Sequence, residues 1–412
     1  MAELQAIPIL SSECLFSPLH GTSNWEIMLR NKIILFVVIL VLSSCVKVYS
    51  PKIKGSDLNK YVVSGQVTLG EDTQTVNVSL TSSINNPSYI PVKGCNVSIT
   101  DNKHNTFTMV DLGNGDYSTM IAPKYLVPGK AFRVDVITPE GDSIVSDYDT
   151  LTSAPPVDSI YYLRKDVESP IPGQSTQGIQ FYIDLNGTNA NSRYYRWKIY
   201  ETWEYHSRYP REWYYDGVLH HIYPPDSSLY TCWDTRMIPK VFTLSTDNLS
   251  QNKYNDFPLQ YVDNTTSRLA YGYSMLVEQM SLSKAAYNYW DQLRTNSTQE
   301  GGLYEKQPIA IIGNMHDLTH PENEVLGFFS ATSATYKRIF VTSVPGIKLN
   351  FDTYCSSVIL RIGLSQIPPS EYPAYLQAGL HGPLGIWLST ECVDCLALGG
   401  TNVKPSFWPK IR

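Results

Sequence analysis

In Ala131-Phe-Arg-Val-Asp-Val-Ile137 apolar and polar residues alternate from Phe132 to Val136. A period of two puts one set of side chains on each face of a strand, so this stretch reads as a half-buried β-strand. The same alternation recurs at Tyr61-Val-Val-Ser-Gly-Gln-Val-Thr68 and at Thr75-Val-Asn-Val-Ser-Leu80. Further strands are expected near Cys95, Thr106, Tyr117 and Ser143. Turn signals separate them: Asn114-Gly115, Pro128-Gly129 and Glu140-Gly141-Asp142. Short strands at this spacing over residues 61–151 predict an immunoglobulin-like or transthyretin-like β-sandwich. Asp111, Asn114 and Asp116 lie in one of these turns. Without a twelve-residue loop closed by Glu they read as turn residues, not calcium ligands.

Outward from this domain, Thr152-Ser-Ala-Pro-Pro-Val-Asp158 reads as an extended linker, because a residue before proline is kept out of the helical region. Residues 159–412 then read as a larger β-rich domain. Its strand candidates are Gly178–Leu185, Tyr194–His206, Leu269–Met280, Ile309–Ile312, Val325–Ala331 and Tyr336–Thr342. One helix stands out from Ser283 to about Asn296, where Leu282, Ala286, Tyr289, Trp290 and Leu293 recur at helical spacing. A second, shorter helix is expected from Ser370, with Pro373 in its first turn. The fold class is therefore mainly β, with one or two short helices.

Towards the other end, Met28-Leu-Arg-Asn-Lys32 precedes an unbroken apolar run, Ile33 to Leu42, and then Ser43-Ser44-Cys45. The run is too short to span a membrane, which takes about 20 residues, and it suits a signal peptide of residues 28–44. Leu42-Ser43-Ser44-Cys45 has the layout of a lipobox, in which the cysteine thiol accepts diacylglycerol. Cys45 is the expected lipid anchor, and residues 45–60 the tether. Residues 1–27 do not fit a leader that works from the extreme N-terminus, so Met28 is the expected initiator. The expected address is the outer membrane, with the chain held to the bilayer through acylated Cys45. Val46-Lys47-Val48 lacks the acidic residues that mark surface export, so the membrane face stays open.

The chain has 412 residues and a formal net charge of −6. Such a mildly acidic chain without basic runs argues against nucleic-acid partners. Its 29 tyrosines and 8 tryptophans suit a β-rich binding protein, since both combine a large face with a polar tip. With Cys45 lipidated, the remaining cysteines downstream are odd in number. Cys95 sits in a strand pattern and reads as a buried free thiol. Cys232, Cys355, Cys392 and Cys395 are the disulfide candidates, with three connectivities open. A four-thiolate zinc site is the competing reading, and the exported compartment favours disulfides. His316-Asp-Leu-Thr-His320 has two histidines four apart, but lacks the protease glutamate and is followed by Pro321, so it reads as a loop. No metal or other cofactor is expected.

The tract from Tyr194 to Trp233 is dense in aromatics. Tyr195, Trp197 and Ile199 read as core. Arg208-Tyr-Pro-Arg-Glu-Trp-Tyr-Tyr-Asp-Gly217 reads as an exposed hairpin tip, making Arg208, Trp213, Tyr214 and Tyr215 candidate contacts for a glycan, a peptide or a partner protein.

Several segments look familiar together: Thr231-Cys232-Trp233, Leu282-Ser-Lys-Ala-Ala-Tyr-Asn-Tyr-Trp290, Gln307-Pro-Ile-Ala-Ile-Ile-Gly-Asn314, Val325-Leu-Gly-Phe-Phe-Ser-Ala331, Lys337-Arg-Ile-Phe340, Cys392-Val-Asp-Cys395, Gly399-Gly400-Thr401 and Pro405-Ser-Phe-Trp408. In this order they resemble a Bacteroidota family of envelope lipoproteins, domain of unknown function 4249. The resemblance covers nearly all of the chain after Cys45. It implies an N-terminal sandwich, a C-terminal β-rich domain and a TonB-dependent outer-membrane receptor as partner. It brings no catalytic residues. It matches Cys232, Cys392 and Cys395 and leaves the pairing of Cys355 open. The expected function is a non-enzymatic accessory or ligand-binding partner of a TonB-dependent nutrient transporter. An adhesin or envelope scaffold is the alternative, and an extracytoplasmic hydrolase the third reading.

Overall fold

The computed structural model describes residues 59–83, 86–168, 175–297, 311–352, 354–379 and 382–409. The predicted leader, Cys45, the tether up to residue 58, and Ile309 and Ala310 of one predicted strand lie outside these. The described residues belong to one compact unit, Ser56–Arg412. Among them no helix is long and apolar enough to cross a membrane.

The fold is mainly β. Its centre is a ten-stranded sheet whose main path runs Thr231–Met237, Tyr194–His206, Gly272–Leu282, Phe329–Val341, Tyr61–Leu69, Thr73–Leu80, Asp116–Met120, Val110–Gly113. One joint in it is parallel, from Gly65 opposite Phe329 to Leu69 opposite Ser333. At that joint the early and late parts of the chain share a ladder.

Alternation along Phe329–Val341 explains how one strand serves two cores. Phe329 and Ala331 enter an N-terminal core with Val63, Val76, Ile99, Phe132 and Val134. Farther along the same face, Ile339 and Val341 enter a second core with Phe181, Ile183, Trp197, Tyr273 and Met275. The first core is closed by a six-stranded sheet containing Asn96–Asp101, Ala131–Ile137 and Ser143–Ser146. The second is closed by the three strands Ser159–Glu168, Ser175–Asn186 and Lys253–Asp263. Packing sheet on sheet is how strands with one apolar face remove it from water. The helix Lys284–Ser297 covers part of the opposite face, where Ala286 packs with Met280, Leu282 and Phe328. Ser283 starts it, its Oγ accepting from Ala286 N–H at 3.1 Å.

The proline segment between the two strand-rich parts is held against the sheet. Thr152 donates to Ser281 O at 2.7 Å. Pro155 O accepts from Gln279 Nε2 at 2.9 Å and from Thr335 Oγ1 at 2.8 Å.

Three local expectations change. The strands expected at Val325–Ala331 and Tyr336–Thr342 are one continuous strand, Phe329–Val341, because the intervening Thr332 pairs with Thr68 and Ser333-Ala-Thr335 pairs with Gly272–Leu282 as readily as apolar residues do. The helix expected from Ser370 is a single 3₁₀ turn, Pro369–Glu371, followed by the strand Ala374–Gly379. Cross-strand partners on both sides outweigh its weak helical pattern. The segment around His316 is partly strand, Met315–Asp317, pairing with Ser143–Ser146. His316 meets Asp147 at 3.0 Å and His320 meets Asp142 at 3.5 Å. Among the described residues no group of His, Cys, Asp and Glu could hold a metal ion.

One buried carboxylate makes stability depend on pH. Asp101 is fully buried and accepts from Lys103 N–H, Asn105 N–H and Asn105 Nδ2 at 2.8–2.9 Å, with Lys130 Nζ at 3.2 Å. Burial pushes its pKa up, but these bonds outweigh burial and bring it down to about 2. A folded pKa below the unfolded value of about 3.9 contributes stability that is present above that value and lost as pH falls towards 2. Asp101→Asn is therefore expected to flatten the acid limb of the urea midpoint against pH. An unchanged limb would remove Asp101 from the account.

Candidate functional site

The strand Tyr194–His206 is long enough to run past the sheet that covers its first half. Tyr195, Trp197 and Ile199 are sealed in the second core, as the sequence pattern predicts. Beyond them, on the same face, Glu201, Trp203 and Tyr205 line a cleft of about 510 Å³. The neighbouring strand adds Asp234 and Arg236, the 3₁₀ turn Ser267–Leu269 adds Arg268, and Tyr271 follows. Phe351, Asp352, Tyr354 and Glu391 complete the rim.

The charges on the floor are arranged in pairs. Glu201 Oε2 accepts from Tyr273 Oη at 3.0 Å and faces Arg268 Nη1 at 3.4 Å. Arg268 also faces Asp263 at 3.5 Å. Burial, and then the Glu201 carboxylate, push the Tyr273 phenol well above its usual value, so it stays a donor to Glu201. Arg236 pairs with Asp234 at 2.5 Å and lies over the Trp203 ring, 5.1 Å from its centroid. His206 stacks on Tyr271 with ring centroids 3.7 Å apart, and its Nε2 lies 2.9 Å from Glu204 Oε1. The other Glu204 oxygen accepts from Trp408 Nε1 at 3.1 Å. Tyr205 donates to Cys395 O and Gly399 O, and burial beside Asp234 raises its phenol to about 12.

A disulfide sets the back wall. Cys232 bonds Cys395, which joins the strand Thr231–Met237 to the turn Cys395–Leu398, and Cys355 bonds Cys392. This is one of the three connectivities open from sequence. The two cysteines of Cys392-Val-Asp-Cys395 thus bond elsewhere and not to each other. Cys95 is buried and free.

The four aromatic-tract candidates separate. Arg208 lines the cleft. Trp213, Tyr214 and Tyr215 lie in the strand Arg211–Tyr215 of a separate five-stranded sheet. Tyr215 is 8% exposed and packs with Ile367 and Leu376. Trp213 stacks on His221 at 3.8 Å and Tyr214 on His220 at 4.4 Å, both nearly parallel. The hairpin spends most of its aromatic surface on its own sheet. Sequence reading missed Glu201, Trp203, Arg236, Arg268 and Tyr271 as one site. The odd-numbered continuation of the Tyr195, Trp197, Ile199 row was the available signal for the first two.

A family model described as a domain of unknown function (DUF4249) matches residues 46–338. The chain belongs to this family. The DUF4249 match takes in Glu201, Trp203, Arg208, Arg236 and Arg268, and ends before Cys355. A search of curated proteins finds no match. Among solved structures, trypsin-activated alpha-2-macroglobulin from Escherichia coli aligns at 8% identity over 57% of this chain and 15% of that one, with a TM-score of 0.19. The native conformation of Escherichia coli alpha-2-macroglobulin aligns at 12% identity over 56% and 14%, with a TM-score of 0.18. The chain thus spans about one seventh of those proteins, and scores at that level carry no argument.

Proposed function

We propose that this DUF4249 protein is a ligand-binding lipoprotein of the outer membrane, anchored through acylated Cys45 and acting beside a TonB-dependent receptor. The cleft at the end of Tyr194–His206 is the observation that carries the reading. It combines aromatic planes with guanidinium and carboxylate groups and is braced by a disulfide. Concave sites with a few fixed polar groups and apolar walls are the usual form of a small-ligand site. Both charge signs at one opening suit a ligand that also carries both, such as a short peptide. The lipobox and the family resemblance supply the address and the partner.

The test is a pull-down from solubilised outer membrane, paired with uptake in a deletion strain. Co-purification of a receptor and slowed uptake of one peptide class are expected. Arg268→Gln is expected to weaken ligand capture about tenfold, the scale of one charged hydrogen bond. A protein that brings down no receptor and whose loss leaves uptake unchanged would sink the proposal.

A further inference from the structure

The face of the ten-stranded sheet opposite the second core holds two cations, Arg196 with no carboxylate partner among the described residues and Lys198 with a distant one. Arg196 and Lys198 alternate with Trp197 and Ile199 along Tyr194–His206, so they project to the helix side. There they line a cleft of about 320 Å³ between the helix Lys284–Ser297 and the strands Tyr61–Leu69 and Thr73–Leu80. The Arg196 guanidinium lies 3.3 Å above the Trp290 ring. Among the described residues no carboxylate lies within ion-pair distance of it, and its buried Nε has no hydrogen-bond partner. Lys198 Nζ approaches Glu278 Oε1 only to 3.9 Å, and that oxygen too is buried without a hydrogen bond. The register puts Lys198 directly opposite Glu278, so the pair is imposed by the ladder and not closed by it.

Nearby carboxylates are engaged elsewhere. Glu71 accepts from Tyr336 Oη at 2.7 Å, and Asp116 accepts from Asn77 Nδ2 at 2.7 Å. Burial lowers Arg196 to about 10 and also lowers Lys198, while Glu278 is raised by burial. Taking a cation out of water without a matched anion is unfavourable. Asp116 and Glu278 partly balance the two cations, but among the described residues no carboxylate reaches the Arg196 guanidinium, which is left for an incoming one.

The geometry points to this cleft as a binding site for a small monocarboxylate with an apolar body, its carboxylate on Arg196 and Lys198 and its body against Trp290, Tyr289 and Phe328. A guanidinium edge matches a planar carboxylate, and the carboxylates already beside the cleft, Asp116 and Glu278, make a monoanion a better fit than a dianion. Tyr289 stacks on Phe328 with centroids 4.8 Å apart, which keeps the apolar wall in place. The site is independent of the cleft at the far end of the strand, which lies on the other face.

Calorimetric titration of the full-length protein in detergent with sodium benzoate, its neutral isostere benzamide and inorganic phosphate tests this. Benzoate is expected to bind, with benzamide and phosphate at least about tenfold weaker. Arg196→Gln should lower benzoate affinity about tenfold. Lys198→Met, which keeps the apolar stem, should act in the same direction and serves if Arg196→Gln does not fold. No benzoate binding, equal binding of benzamide, or preference for phosphate would overturn the assignment. So would unchanged affinity in a folded Arg196→Gln protein, or loss of binding in Arg268→Gln instead.

Discussion

Cys232→Ala with Cys395→Ala is expected to lower stability by about 5 kcal/mol, because the bond closes a loop with a sequence separation of 163 residues. Cross-linking removes loop-closure entropy from the unfolded chain, and the removal grows with the logarithm of loop length. Both sulfurs are fully buried, so the variant also leaves a small void. The Cys355–Cys392 bond spans only 37 residues, so its double alanine variant is expected to lose about 4 kcal/mol. Against a total of about 5–15 kcal/mol for an ordinary domain, the first loss is large enough to unfold a fraction of the molecules at 37 °C. Urea midpoints under non-reducing conditions measure both. The first variant should also weaken the ligand capture proposed for the cleft at the end of Tyr194–His206, because Ala397 and Leu398 on its wall lie in the same turn as Cys395. A first variant as stable as the parent would show that packing alone seats that turn.

Trp197→Ala is expected to be at least comparably damaging. Trp197 is 1% exposed, lies 4.6 Å from the Phe257 ring by centroids, and donates from Nε1 to Gln279 Oε1 at 3.0 Å. Removing a buried tryptophan typically destabilises by about 3–5 kcal/mol through lost transfer energy and the cavity left behind. Gln279 is itself fully buried, and its amide nitrogen holds Pro155 O. Orphaning its oxygen adds about 1–3 kcal/mol. Trp197→Phe keeps a six-membered ring and loses the pyrrole part of the indole with its N–H, so it should recover about half of the loss. Thermal or urea unfolding of the two variants separates the ring from the hydrogen bond. Equal destabilisation by Phe and Ala would show that the bond to Gln279 dominates.

Much of the strand content was legible because alternation is a local signal. Ala131–Ile137 and Tyr194–His206 fall where the pattern puts them, and the helix after Ser283 starts at its capping serine. The pattern failed where two tendencies competed within a few residues. Thr332-Ser-Ala-Thr335 has too few apolar residues to announce a strand, yet Ser281 and Gln279 across the ladder hold it extended. Ser370-Glu-Tyr-Pro has the residues of a helix start, but Trp213 and Trp387 stand across the sheet from Leu376 and draw the following segment into a strand.

The candidate sites were less legible. Arg208 was marked for its place in an aromatic hairpin, and it belongs to the cleft for another reason: the hairpin departs from the end of Tyr194–His206, where Glu201 and Trp203 face the opening. Arg196 and Lys198 look like the ordinary polar half of an alternating strand. Nothing in their neighbours along the chain says that a helix some ninety residues later will cover them.

Residue order along the chain was enough for the mainly β class, the position of the α-helix after Ser283, the burial of Tyr195, Trp197 and Ile199, and the thiols available for pairing. Those properties depend on neighbours one to four positions away. The parallel joint between Tyr61–Leu69 and Phe329–Val341, the choice of Cys232–Cys395 and Cys355–Cys392, and both clefts came from the folded chain. Each depends on residues from distant parts of the chain meeting across a sheet, and a period of two records which face a side chain takes but not what it will face.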